Sequence, residues 1–164
     1  MKTTLINAVR TIGFFAAIVT MIAVQGLNAQ SGKGGGGRLE GVWDAQISIT
    51  DCSTGGVIRS FASLGMFMRG GTMLDSTSGV PQAMKTPGEG VWRHTEGNNY
   101  KMRFKSFSFN AQNVFTGWTT IQHEISLDSS GDSYTSAGTA EIYAPNGVLL
   151  LTLCSSSTAT RFDF

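Results

Sequence analysis

Two histidines, two cysteines and a few carboxylates are the side chains in this sequence that could do chemistry. His94 and His123 titrate in the range that general acid and base catalysis needs, so each is a weak candidate for proton transfer. Each also reads as a hydrogen-bonding contact to a ligand, or as a packed residue whose ring nitrogens are satisfied by neighbours. Cys52 and Cys154 stand 102 positions apart. No histidine lies beside either cysteine, so the spacing fits one disulfide and neither a metal site nor an activated thiol. A Gly-x-Ser-x-Gly elbow, a phosphate loop and a His-x-x-x-His pair are all missing from the sequence.

Period-two alternation between short turn signals supplies the elements that must position these groups. Strands are expected at 41–51, 57–68, 71–77, 89–96, 100–109, 114–128, 133–144 and 148–162. Short links between successive strands make a meander, and eight such strands close into an all-β, antiparallel up-and-down barrel. The Asn146-Gly147 turn sets Ile142 opposite Leu151 and Ala140 opposite Leu153. Across the Ser-Ser-Gly-Asp turn, Leu127 meets Tyr134, Ile125 meets Ser136, His123 meets Gly138 and Ile121 meets Ala140. Both hairpins agree on the inner face of the seventh strand. The Gly-Asn-Asn turn is expected to place Trp92 opposite Phe104 and His94 opposite Met102, bringing both histidines inside. They would then lie on strands two apart, roughly 10 Å, too far to share a metal but suited to two walls of a cavity.

The fifth strand changes phase, with Tyr100, Met102 and Phe104 on one face and Phe107 and Phe109 on the other. A bulge near Lys105-Ser106 would turn all five inward. Lys101, Arg103 and Lys105 then form an outer basic stripe, read as a solvated face rather than a binding patch. Glu96 is expected near the barrel mouth, with Glu124 and Glu141 outward. The candidate ligand wall is Trp92, His94, Tyr100, Met102, Phe104, Phe115, Ile121, His123 and Tyr134.

If the sheet closes, the first strand runs antiparallel to the last. A Cys52–Cys154 bond on the outer face then brings Trp43 beside Arg161 on the inner one. Gly41-Val42-Trp43 at the mouth of the first strand, with Arg161 near the end of the last, resembles the signature of the calycin superfamily of lipocalins, fatty-acid-binding proteins and nitrobindin-like barrels. The resemblance implies a guanidinium packed on the indole to plug one end, and a small apolar or amphipathic molecule held in the lumen. It identifies no particular ligand. Neither the helix that follows the last strand in lipocalins nor the helical lid of fatty-acid-binding proteins is visible here. The nitrobindin-like branch adds axial haem ligation by a histidine as a remote option; otherwise no cofactor and no metal are expected. The chain is also similar to secreted bacterial barrel proteins. A second Gly-Val-Trp, Gly90 to Trp92, reads either as a trace of duplication or as a core tryptophan beside a glycine that relieves crowding.

The first 29 residues carry Lys2, Arg10, an apolar run from Ile12 to Val24 and small residues toward Ala29. That pattern reads as a cleaved signal peptide. The run is short of the roughly 20 residues a spanning helix needs, so no membrane span is expected after cleavage. Residues 30–38 are rich in glycine and read as a flexible leader, leaving 39–164 as the barrel domain of a periplasmic or extracellular protein. The chain has 12 basic and 11 acidic residues. Cleavage of residues 1–29 removes two basic ones, Lys2 and Arg10, leaving 10 against 11, a net −1 with no field to draw nucleic acid. A barrel cyclase or isomerase that cages an apolar substrate is the alternative to a binding protein, and a filled structural barrel is a third.

Overall fold

The computed structural model describes residues 38–164; the expected signal peptide and nearly all of the expected glycine-rich leader lie outside that range. Eight antiparallel strands follow one another around a closed barrel: β1 (Gly41–Thr50), β2 (Val57–Met68), β3 (Thr72–Thr77), β4 (Gly88–Glu96), β5 (Asn99–Phe109), β6 (Phe115–Leu127), β7 (Ser133–Tyr143) and β8 (Leu149–Arg161). A single 3₁₀ turn, Gln82–Met84, interrupts the β3–β4 connection. Among the described residues no helix is long and apolar enough to cross a membrane.

Turn chemistry sets much of the register. The β6–β7 turn is built on Asp128, whose carboxylate accepts from the Gly131, Asp132 and Ser133 amides and the Ser130 hydroxyl. The resulting ladder pairs Leu127 with Tyr134 and His123 with Gly138, as expected. In β8 the expected Ile142–Leu151 and Ala140–Leu153 pairs also form. The β1–β2 turn is held likewise by Asp51, which accepts from the Ser53 and Thr54 amides. These bonds favour the carboxylate, the Ser53 hydroxyl contributing most at Asp51 and the Ser130 hydroxyl at Asp128, and hold both carboxyls down at about 2.

Three expectations fail. The β4–β5 register places Trp92 opposite Met102 and His94 opposite Tyr100, two positions from the expected pairing. The cause is a tight turn at Gly97-Asn98 followed by an irregularity between His94 and Glu96, so less of the Gly-Asn-Asn stretch is spent on the loop. The bulge near Lys105-Ser106 does not form. Ladders to β6 run unbroken from Asn99 to Ser108, and the shift comes later, between Ser108 and Phe109. Ser106 therefore points inward and Phe107 outward, where its ring is 47% exposed. Glu96 sits beside the β4–β5 turn, at the opposite end from the mouth.

The closed end gathers the starts of the odd strands and the ends of the even ones. Leu39, Trp43, Phe67, Met73, Trp92, Tyr100, Ile125, Leu127 and Tyr134 are all buried there or just above it. The open end carries the 51–56, 78–87, 110–114 and 144–148 connections. Glycines relieve crowding at the ladders: a Cβ on Gly90 would collide with the Arg103 carbonyl and with Phe104. That contact gives the second Gly-Val-Trp a packing reason of its own.

Candidate functional site

Arg161 makes the plug. Its guanidinium carbon lies 4.4 Å from the centroid of the Trp43 ring. The same group donates to the carbonyls of Glu40 (2.8 Å), Arg38 (2.7 Å) and Gly131 (2.8 and 3.2 Å). The indole N–H of Trp43 donates to the Leu39 carbonyl, and the ring packs on Tyr134 at 4.9 Å. Arg38 itself is tied to Asn98 and the Ser129 carbonyl, so the chain entering β1 belongs to the plug. Trp43 pairs with Arg161 in the β1–β8 ladder, and the Cys52–Cys154 disulfide closes the other end of it with Cα atoms 5.0 Å apart.

Above the plug the barrel holds a cavity of about 300 Å³ that reaches the open end. Its walls are mainly apolar, with Ile47, Phe61, Met84, Phe104, Phe109 and Ile121 among them. Of the sequence-expected ligand residues, Met102, Phe104, Ile121, His123 and Tyr134 line it. The others do not. Trp92 and Tyr100 pack together within the plug at 5.9 Å, and the Trp92 N–H donates to the Met68 carbonyl. His94 lies against Tyr100, with Nε2 bonded to the Gly97 carbonyl at 2.8 Å. Phe115 packs on Phe107 and Phe109 near the rim and is 38% exposed. The register shift in β4–β5 moves Trp92 and His94 toward the closed end, while Tyr100, next to the β4–β5 turn, stands at that end in either register. Leu149 and Leu151, on the inner face by parity, stand exposed above the rim; only Leu153 of that trio reaches the cavity.

Two clusters of hydrogen-bonded polar side chains stand on the cavity wall. On one wall Nδ1 of His123 bonds the Ser136 hydroxyl (2.7 Å) and Nε2 the Ser155 hydroxyl (2.6 Å); Ser136 continues to Ser157, which bonds Tyr134. Burial pushes His123 down to about 4, so the ring is neutral at pH 7. Burial, reinforced by the charge of Asp75, raises Tyr134 well above the usual phenol range. With both nitrogens of His123 held by hydroxyls and His94 outside the cavity, neither histidine presents a free nitrogen to a haem iron, and the residues do not fit axial ligation. Proton transfer by His123 would first require breaking one of those bonds.

The other group was not anticipated from the sequence. Asp75 on β3 points inward, accepts from Ser63 Oγ at 2.5 Å, and lies 3.7 Å from Lys85 Nζ, which reaches in from the β3–β4 connection. Both charged side chains are largely covered. Burial raises Asp75 against the opposing pull of Ser63 and Lys85, and lowers Lys85 against the pull of Asp75. Period-two parity with Met73 and Thr77 is the signal that could have placed Asp75 inside. On the outer face, Lys101 pairs with Glu124 at 2.8 Å and Lys105 lies over Trp118, so the basic stripe is a partnered, solvated surface. No cluster of three His, Cys, Asp or Glu side chains able to hold a metal occurs among the described residues.

His123 carries a pH prediction. The folded protein protonates it only near pH 4, the unfolded chain near 6.5. Between those values the unfolded state holds more protons, so stability present at pH 7 is lost as pH falls, by about 3 kcal/mol at pH 4. Asp75 acts in the opposite sense: its raised value favours the folded state at acid pH, a contribution lost as pH rises. Urea unfolding at stepped pH should show the decline, and His123→Gln should flatten it. An equally steep decline in the variant would assign the effect to other groups.

The class these observations define is an eight-stranded closed antiparallel β-barrel with one plugged end and an open, mostly apolar lumen. No family model matches the chain, and no curated protein matches it.

Proposed function

We propose that this chain is a calycin-like exported binding protein that holds a small apolar or amphipathic molecule in the barrel lumen. The observation that carries the reading is the cavity of about 300 Å³, apolar in most of its wall, open at one end and sealed at the other by Trp43 and Arg161. Pockets of this size and character suit small ligands. Export is supported by the leader pattern and by the Cys52–Cys154 bond, since disulfides persist in oxidising compartments.

Saturable uptake of the uncharged dye N-phenylnaphthylamine, with a blue-shifted emission, is the expected result. Ala140 is buried and lines the lumen. Ala140→Phe should fill the cavity and weaken dye binding about tenfold or more, with overpacking costing about 1–3 kcal/mol of stability. Dye uptake unaffected by this substitution would place binding elsewhere. Conversion of a bound polyene or epoxide would instead make the chain a barrel cyclase or isomerase.

A further inference from the structure

The charged and polar groups in the lumen restrict which amphipathic molecule fits, if the binding reading above holds. Arg59, Asp75, Lys85, the neutral His123 and the protonated Tyr134 are the titratable side chains that line the cavity among the described residues. Arg59 lies at the rim, exposed, over the Phe61 ring and bonded to the Gly79 carbonyl. Asp75 and Lys85 lie deeper and neutralise each other at 3.7 Å. Lys85 carries three donors, and Asp75 takes up at most one or two. Nearby on β5, Ser106 is 1% exposed, lines the same cavity, and has a hydroxyl with no hydrogen-bond partner. Lys85 forms a backbone bridge with Ser108, and Ser106 is the next inward position, roughly 7 Å along the strand. The cavity wall thus offers spare hydrogen-bonding capacity at two neighbouring points.

We infer that the lumen selects a neutral oxygenated molecule, an alcohol or ketone on an apolar body, whose oxygen accepts from Lys85 and meets the Ser106 hydroxyl. A carboxylate ligand would add a second anion where one buried cation is already matched by Asp75. An ammonium would add a second cation to the same balanced pair. Either leaves one buried charge uncompensated, the costly arrangement in a low-dielectric cavity. A pure hydrocarbon would instead cover the Ser106 hydroxyl and the Lys85 donors without bonding them. A neutral oxygen satisfies these groups and leaves the charge balance unchanged.

The test displaces N-phenylnaphthylamine from the full chain with a primary alcohol, a methyl ketone, a carboxylate and an alkylammonium of equal chain length. The alcohol and the ketone should displace it at about tenfold lower concentration than either ion. Asp75→Asn frees the charge of Lys85 and should improve the carboxylate about tenfold, bringing it level with the alcohol and the ketone. Ser106→Ala should weaken the alcohol and ketone about fivefold. Each variant's thermal midpoint confirms that it is folded, and the wild-type ranking alone decides the matter should Asp75→Asn not fold. A carboxylate or ammonium that wins in the wild type, or a ranking by apolarity alone, would overturn the inference while leaving binding intact. Failure of the wild type to take up the dye at all would overturn the binding reading itself, and this inference with it.

Discussion

Arg161→Ala is expected to lower unfolding free energy by about 3–5 kcal/mol with the disulfide intact, a loss large enough to leave a barrel of this size marginal. The side chain lies over Trp43 and donates to three carbonyls that converge on it from Arg38, Glu40 and Gly131. Alanine removes the stack and the packing of the arginine stem, and leaves those acceptors without their donor. Arg161→Lys should recover less than half of the loss, because a point charge cannot reproduce the planar fork that spans three carbonyls. Gly41 leaves room for the group: it adopts a φ of 129°, and a Cβ there would lie 2.8 Å from Arg161 Nη1. Urea denaturation checks the size of the effect, and a double-mutant cycle with Trp43→Leu should show a coupling of about 1 kcal/mol or more. A shift in Arg161→Ala within about 0.5 kcal/mol of wild type would mean that the plug is held by apolar packing alone.

Removing the disulfide by Cys52→Ala with Cys154→Ala should cost about 3–5 kcal/mol, the range expected for a closed loop of roughly 100 residues. The loss comes through the unfolded state. In the folded barrel Thr50 already pairs with Cys154 within the β1–β8 ladder, so the native geometry needs no bond to hold it. Denaturant sensitivity should rise along with the loss of stability, because the unlinked chain expands further and exposes more surface. Trp43–Arg161 and Thr50–Cys154 lie at opposite ends of the same ladder, seven positions or roughly 24 Å apart. Their effects should therefore add within about 0.5 kcal/mol. A double cysteine variant as stable as wild type would show that the unfolded chain already keeps its ends together.

How much of this was legible can be seen at particular residues. Glycine and asparagine or aspartate at the β6–β7 and β7–β8 turns imposed two registers through local conformation, and alternation beside them marked the inner face. The same parity carried Trp43 to Arg161 and the two cysteines to the outside, because the side-chain period of a strand is two whatever surrounds it. The lumen was less readable. Whether Trp92 reached the cavity or the plug depended on the Gly97-Asn98 turn and the irregularity between His94 and Glu96, which together set the pairing two positions from the expected one. Phe107 looked like a core aromatic, yet the unbroken β5–β6 ladder held it outward and put Ser106 in its place.

From its sequence alone this protein was determined to be an eight-stranded meander with its ends brought together, since turn residues and alternation act locally and are written in consecutive positions. The polar interior was decided only by the tertiary structure. Asp75 and Lys85 are on different segments, Lys85 arriving through an irregular connection with no period to read, and their meeting follows from closure of the sheet around them. His123 likewise depends on serines from β7 and β8 to satisfy both nitrogens. Burial and charge balance are sums over neighbours from many strands, so the character of the lumen came into being only when the barrel closed.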